Sequence, residues 1–263
     1  MRLVLAAAAV LGLVTLCPAG AAAEVRRGAY RFQPGLDLPV MAATAPVLAV
    51  WFLGNEFPAA HCAPRCDPST LNGLDRPFAG RYAPRWQTVS DVGILAFGLG
   101  AAAGLALHEG LPDSLADTAV VLESVMVANA TAILFNYAVR RPRPLVYGDA
   151  APVDARMRGN ASLSFFSGHT ANAFALAVGL FQVLRHTARP AVAWTALGVG
   201  LSLAGFIGAS RVAAGAHFPS DVIAGAVVGA SMGWLVPALH ARRVGVAPMA
   251  LGDGAGVSVH GMF

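Results

Sequence analysis

Residues 210–240 read SRVAAGAHFPSDVIAGAVVGASMGWLVPALH, a polar string that ends at Asp221 and opens an apolar run of helical length. Arg211, His217 six positions later and Asp221 four beyond that are the groups that phosphoryl transfer through imidazole requires. A guanidinium is a planar cation matched to phosphate oxygens. An imidazole that is neutral near pH 7 is a nucleophile, and a carboxylate holding one ring nitrogen leaves the other facing phosphorus. Ser220 and Asp221 stand where helix N-caps belong, so an anion at this loop also meets a helix N-terminus.

Two further segments point the same way. The run SFFSGHTANAFALAVGLF, residues 164–181, places Ser167, Gly168 and His169 at the mouth of another apolar helix. A small hydroxyl residue and a glycine there let backbone N–H groups approach an anion, and a histidine can pass a proton to a leaving oxygen. Upstream, NYAVRRPRP, residues 136–144, ends an apolar helix with Arg140, Arg141 and Arg143. Alone it reads as an arginine flank at a membrane surface; beside the other two it is a third wall of a phosphate pocket.

Composition sets the surroundings. The 263 residues are 56% hydrophobic and 12% charged, against about a quarter charged in ordinary soluble domains. The net charge of +4 rests on arginines scattered at loop ends, and the chain contains no lysine, which does not suit a nucleic-acid surface. Five apolar stretches of about 20 residues could cross a bilayer: approximately 91–108, 117–138, 168–185, 191–209 and 221–240. Residues 1–23, ending in Ala-x-Ala, have the pattern of a secretory signal, or of an uncleaved anchor.

All three polar strings fall at one end of such a bundle. Arg185, Arg189, Arg242 and Arg243 fall at the other, which favours the cytoplasm there and an outward-facing pocket. Loop 55–89 then lies outside, where Cys62 and Cys66 can form a disulfide. A shorter apolar stretch, 39–54, complicates the count, because it and the N-terminal segment cannot both span. A removed signal with 39–54 in the interface or packed on the bundle is the favoured arrangement; a bundle of six helices starting at 39–54 is the other. The expected organisation is therefore a signal or anchor at 1–23, an extracytoplasmic segment at 24–89, a helical domain at 90–241 and a tail at 242–263. Within the apolar segments, Asn129 and Asn136 share a helix face, and Glu123 on another face is either functional or a packed, neutral carboxyl.

The three strings together resemble the type 2 phosphatidic acid phosphatase (PAP2) superfamily, which also contains bacterial acid phosphatases and vanadium haloperoxidases. Its pattern is Lys-x6-Arg-Pro, then Pro-Ser-Gly-His, then Ser-Arg-x5-His-x3-Asp. The third part is complete from Ser210 to Asp221; the second is present with Phe166 in place of Pro; the first aligns on Arg143-Pro144 and puts Asn136 where the family has Lys. The resemblance implies an all-α, membrane-embedded bundle of five or six helices. It implies His217 as a nucleophile that becomes phosphohistidine, oriented by Asp221, with His169 as acid and then base. Arg143, Arg211, Ser167, Gly168 and the Asn136 position would hold the phosphate, with Arg140 or Arg141 able to replace the missing lysine charge.

No cofactor and no metal are implied, in keeping with a sequence that has no acidic cluster or Cys/His pattern suited to a metal. The expected partners are a lipid phosphate or diphosphate and the bilayer, in a bacterial inner membrane with the pocket on the periplasmic side. A vanadate-dependent oxidase and a catalytically weak lipid-binding protein are the alternatives.

Overall fold

The computed structural model describes residues 28–53, 58–241, 245–251 and 254–260. The signal-like segment 1–23 and the arginines at 242 and 243 lie outside them. The helices are α1 (Pro34–Leu53), α2 (Arg85–Glu109), α3 (Leu111–Val139), the short α4 (Val153–Met157), α5 (Gly168–Thr187), α6 (Pro190–Ala213) and α7 (Pro219–Ala241). The helical bundle matches the expected class, with one addition. Strands β1 (Gly245–Leu251) and β2 (Gly254–His260) pair antiparallel, Gly245 opposite His260. The expected surface tail is therefore a hairpin, whose alternating Val and Ser residues have the period of a strand.

Helix α5 is the axis of the bundle, packed against α3, α6 and α7 and touching α2. The contact with α7 is close because both faces are built of small residues. Gly225, Gly229 and Gly233 of α7 lie against the backbone of Ser167, Ala171 and Ala175, the spacing that lets apolar helices approach when no water drives them together. A Cβ built on Gly229 would overlap the Ala171 carbonyl.

Helices α2, α3 with its continuation to Tyr147, α6 and α7 are long and apolar enough to cross a membrane. Leu95, Leu99, Trp194, Phe206, Val227 and Trp234 are exposed on their outer faces, as lipid-facing residues of a multi-pass membrane protein would be. The fifth expected span forms α5, but α5 does not belong to that apolar set among the described residues. Enclosed by its neighbours, it keeps Asn172 and Gln182 inside the bundle, while Arg185 is exposed in its last turn.

Helix α1 covers the stretch 39–54 and packs against α3. Just before it, Tyr30 N–H donates to Asp117 near the start of α3, and Gln33 Nε2 donates to the His240 carbonyl at the end of α7. Just after it, the Pro58 carbonyl accepts from Arg140, at the far end of α3. The chain on its two sides is tied to opposite ends of the bundle, so α1 runs from one end to the other. Residues 28–89 thus do not lie at one end of the bundle.

Cys62 and Cys66 are joined by a disulfide. Their loop packs with Leu71, Val146, Tyr147 and Phe218, and Cys66 N–H donates to the Val146 carbonyl at 3.0 Å. This places the disulfide at the end of the bundle that carries the three motifs.

The α5–α7 contact generates a graded prediction. Gly229→Ala forces the helices apart and lowers stability by about 1–3 kcal/mol or more. Gly98→Ala, where a Cβ meets nothing within 4 Å, is neutral or stabilising by up to about 1 kcal/mol. Thermal unfolding of the two variants in detergent gives the comparison.

Candidate active site

The first wall forms where α3 stops. Arg140 adopts the left-handed conformation (φ 49°) at the helix C-terminus and its N–H closes on the Asn136 carbonyl. A non-glycine residue there is uncommon and costs about 1 kcal/mol or more, and it turns the chain so that residues 141–143 continue extended. Arg143 N–H then donates to Ala161 (2.8 Å), and the Arg141 carbonyl accepts from Ser164 N–H (2.9 Å).

The second wall is the N-terminus of α5. Ser167 is its N-cap, with its hydroxyl accepting from the Thr170 backbone and hydroxyl groups. Ser167 is fully buried and does not line the cavity; as the cap it presents the amides of Gly168 and His169, which no turn of helix precedes.

The third wall is the turn between α6 and α7. Gly215, with φ 75°, lies so near the Arg81 carbonyl that a Cβ would overlap it; only glycine combines that torsion with that approach. Helix α7 starts at Pro219, with the Phe218 N–H capped by Asp221 at 2.8 Å. Ser220 and Asp221 are therefore inside the first turn rather than at the cap.

These walls enclose a cavity of about 390 Å³ lined by Asn136, Arg143, Gly168, His169, Arg211 and His217, with Gln87, Asp91, Asn129, Asn160 and Asn172 among the other polar residues. His217 is 4% exposed. Its Nδ1 lies 2.7 Å from the Ser164 carbonyl, an obligate acceptor, so Nδ1 carries the proton and Nε2 the lone pair. Burial, then the Arg143 and Arg211 guanidiniums, hold this imidazole well below its usual pKa. A neutral, oriented ring beside two fixed cations is an arrangement for attack on a bound oxyanion.

Asp221 does not orient His217 directly. Its oxygens accept from Arg141 Nη1 (2.6 Å), Ser164 Oγ (2.6 Å) and the Phe218 N–H. Ser164 is the link, giving its hydroxyl to Asp221 and its carbonyl to His217. The other half of this network is Asp75, which sequence reasoning missed. It is fully buried and accepts from Arg141 Nη2 (2.7 Å), Ser220 Oγ (2.6 Å) and Asn72 Nδ2 (2.7 Å). Burial pushes its carboxyl up, but these partners outweigh it and hold the pKa below the usual range.

Arg141 is thus committed to two carboxylates and Arg140 reaches the Pro58 carbonyl at 3.3 Å, so neither supplies the charge absent at position 136. Asn136 itself lines the cavity, yet its Nδ2 donates to the Ala132 and Phe166 carbonyls (2.7 and 3.2 Å). Its Oδ1 is buried without a hydrogen-bond partner, so the amide offers the cavity no free donor. A second omission is Asp91 on α2, which lies 2.8 Å from His169 Nε2 and 3.4 Å from Arg211 Nη1. Ser90 adds a 3.1 Å bond to the same guanidinium. The only trace of this pair in the sequence is two polar residues at the start of an apolar run.

Residues 117–244 match the family model described as the PAP2 superfamily. This region is a PAP2 superfamily domain. Over 80 residues the chain is 41% identical to the Lipid A 1-phosphatase of Porphyromonas gingivalis, a stretch that is 30% of this chain and 17% of that protein. The chain therefore spans only a small part of that curated relative. Among solved structures it is similar to a transmembrane PAP2 type phosphatidylglycerolphosphate phosphatase from Bacillus subtilis, with TM-score 0.42, 19% identity, and coverage of 77% of this chain and 94% of that one.

The field of the two guanidiniums sets the sign of a pH effect in this PAP2 pocket. With its pKa depressed, His217 stays neutral as pH falls through about 6.5, where a free imidazole takes up its proton. Nitrogen NMR of histidine-labelled protein should show a neutral Nδ1–H ring at pH 6. Arg143→Gln removes one positive neighbour and moves the titration upward.

Proposed function

We propose that this PAP2 domain hydrolyses a phosphate monoester or diphosphate carried by a membrane lipid, through a phosphohistidine at His217. The observation that carries the reading is the pinned tautomer: the lone pair of His217 Nε2 belongs to a ring that lines one cavity with Arg143, Arg211 and His169. The phosphoryl oxygens bind the two guanidiniums and the amides at the start of α5. Nε2 attacks phosphorus as the bond to the leaving oxygen breaks. His169, held through Nε2 by Asp91, protonates that oxygen from its other ring nitrogen and then takes a proton from the water that hydrolyses the phosphohistidine. Asp91 and Asp221 are positioning residues, the second acting through Ser164. A lining of guanidinium, imidazole and amide groups suits an anion, and the hydrolysis as proposed draws on no metal.

The bundle supports a lipid substrate, because the cavity opens among helices whose outer faces are apolar. Two features support an extracytoplasmic pocket in a bacterial inner membrane: the disulfide at the pocket end, which needs an oxidising compartment, and Arg185 and Arg189 at the opposite end. The neutral Asn136 favours a second reading, a protein that binds a lipid phosphate and turns it over slowly.

Phosphate release by purified protein in detergent, measured over a panel of lipid phosphates and diphosphates, tests both. His217→Ala should lower kcat by more than about 10³-fold and His169→Ala by about 10²–10⁴-fold, with Tm unchanged. A His217→Ala protein of near wild-type rate would end the assignment. Asn136→Lys should raise kcat/KM by roughly tenfold, because a fixed charge on the phosphoryl oxygens strengthens in the transition state. No release from any lipid in the panel, with binding retained, selects the second reading.

A further inference from the structure

At the end of the bundle away from the pocket, three residues from separate segments converge. They are Asp37 on α1, Glu123 on α3 and His240 on α7, all buried, with one ligand atom of each within 4.8 Å of the other two. The expectation that the chain has no metal-suited grouping holds for linear spacing only: 86 and 117 residues separate the three, and the fold removes that distance.

The hydrogen bonds around the cluster leave it one cation short. His240 Nδ1 lies 2.9 Å from the Val236 carbonyl, which can only accept, so this nitrogen holds a proton. In the neutral ring, Nε2 is then a lone pair, and it faces Asp37 Oδ1 at 2.7 Å and Glu123 Oε2 at 3.3 Å. Glu123 is 3% exposed, and neither of its oxygens has a hydrogen-bond partner. Three electron-rich atoms cannot share a dry space unless something positive lies among them. Without a metal, a second ring proton would meet one carboxylate and the other would need a proton of its own.

We infer that Asp37, Glu123 and His240 bind one divalent first-row transition-metal ion, of the Zn²⁺ or Mn²⁺ class. One imidazole and two carboxylates are a donor set these ions take. Ligand atoms about 2.1 Å from such an ion stand roughly 3.0–3.4 Å apart, close to the spacing already present around Nε2. The surrounding bonds are those of a built site: the Nδ1–H on a backbone carbonyl fixes the ring and its tautomer, and the second oxygen of Asp37 accepts from the Gln33 N–H. Gln33 also donates through Nε2 to the His240 carbonyl at 2.7 Å. The ion would staple α1, which packs mainly on α3, to both α3 and α7. It lies at the opposite end from His217, so this site stands or falls independently of the phosphatase reading.

The test uses the full chain without a polyhistidine tag, purified in detergent, stripped with chelator and titrated with Zn²⁺ and, separately, Mn²⁺. Elemental analysis should find one equivalent of one of these metals per chain, and Tm should rise by at least about 3 °C on binding. Glu123→Gln keeps the side-chain volume and should weaken binding at least tenfold and abolish the Tm shift. Its metal-free form should melt no lower than metal-free wild type, because one uncompensated charge is gone, which separates loss of the site from loss of the fold. Absence of stoichiometric metal with no Tm response in the wild type overturns the inference, leaving a proton shared between the carboxylates. Equal binding by Glu123→Gln also overturns it.

Discussion

The geometry of the pocket depends on one guanidinium. Arg141 lies between two fully buried carboxylates, Asp75 from the extramembrane loop and Asp221 from the first turn of α7. It also stacks over the Phe218 ring at 4.5 Å. Because it leaves the end of α3, this side chain ties two of the pocket walls and the loop before α2 to one point. Removing one partner from such a buried network leaves an uncompensated charge at a cost of about 3–5 kcal/mol. The arrangement also explains why a cationic residue so near the phosphate site does not itself line it.

From that point the order reaches His217, the proposed nucleophile, through short polar links. Asp221 takes the Ser164 hydroxyl, and Ser164 gives its carbonyl to His217. The ring is fixed in one tautomer by a backbone group, and its charge state is governed by burial and the two arginines across the cavity. His169 is placed by a different device, the Asp91 carboxylate of α2, which also touches Arg211. The two imidazoles therefore have separate supports, as the two roles proposed for them require.

The bundle makes this possible by burying its least apolar helix. With α5 enclosed by α3, α6 and α7, Ser167 to His169 are presented from the centre of the assembly. The glycine face of α7 lets the two helix starts come together at the pocket, where Ser167 N–H donates to the Asp221 carbonyl at 3.1 Å. Apolar α2, α6 and α7 face outward, so the polar chemistry stays within the bundle.

The amino-acid order alone determined the helical runs and the residues that meet in one pocket. Apolar runs of spanning length, and Arg, His, Ser and Gly at their ends, are local signals, and they lead to His217, His169, Arg143 and Arg211 in one pocket. What it left open were relations between residues far apart in the chain. That Asp75 and Asp91 serve the pocket, that Arg141 is consumed by carboxylates, and that Asp37, Glu123 and His240 meet at the other end all follow from helices packing side by side. The same is true of α1, whose direction is set by hydrogen bonds at its two ends rather than by its hydropathy. Periodicity and spacing record which face of a helix is apolar; which buried polar groups will find each other is decided only when the faces are brought together, because a charge in a dry interior must be met by whatever partner the packing delivers.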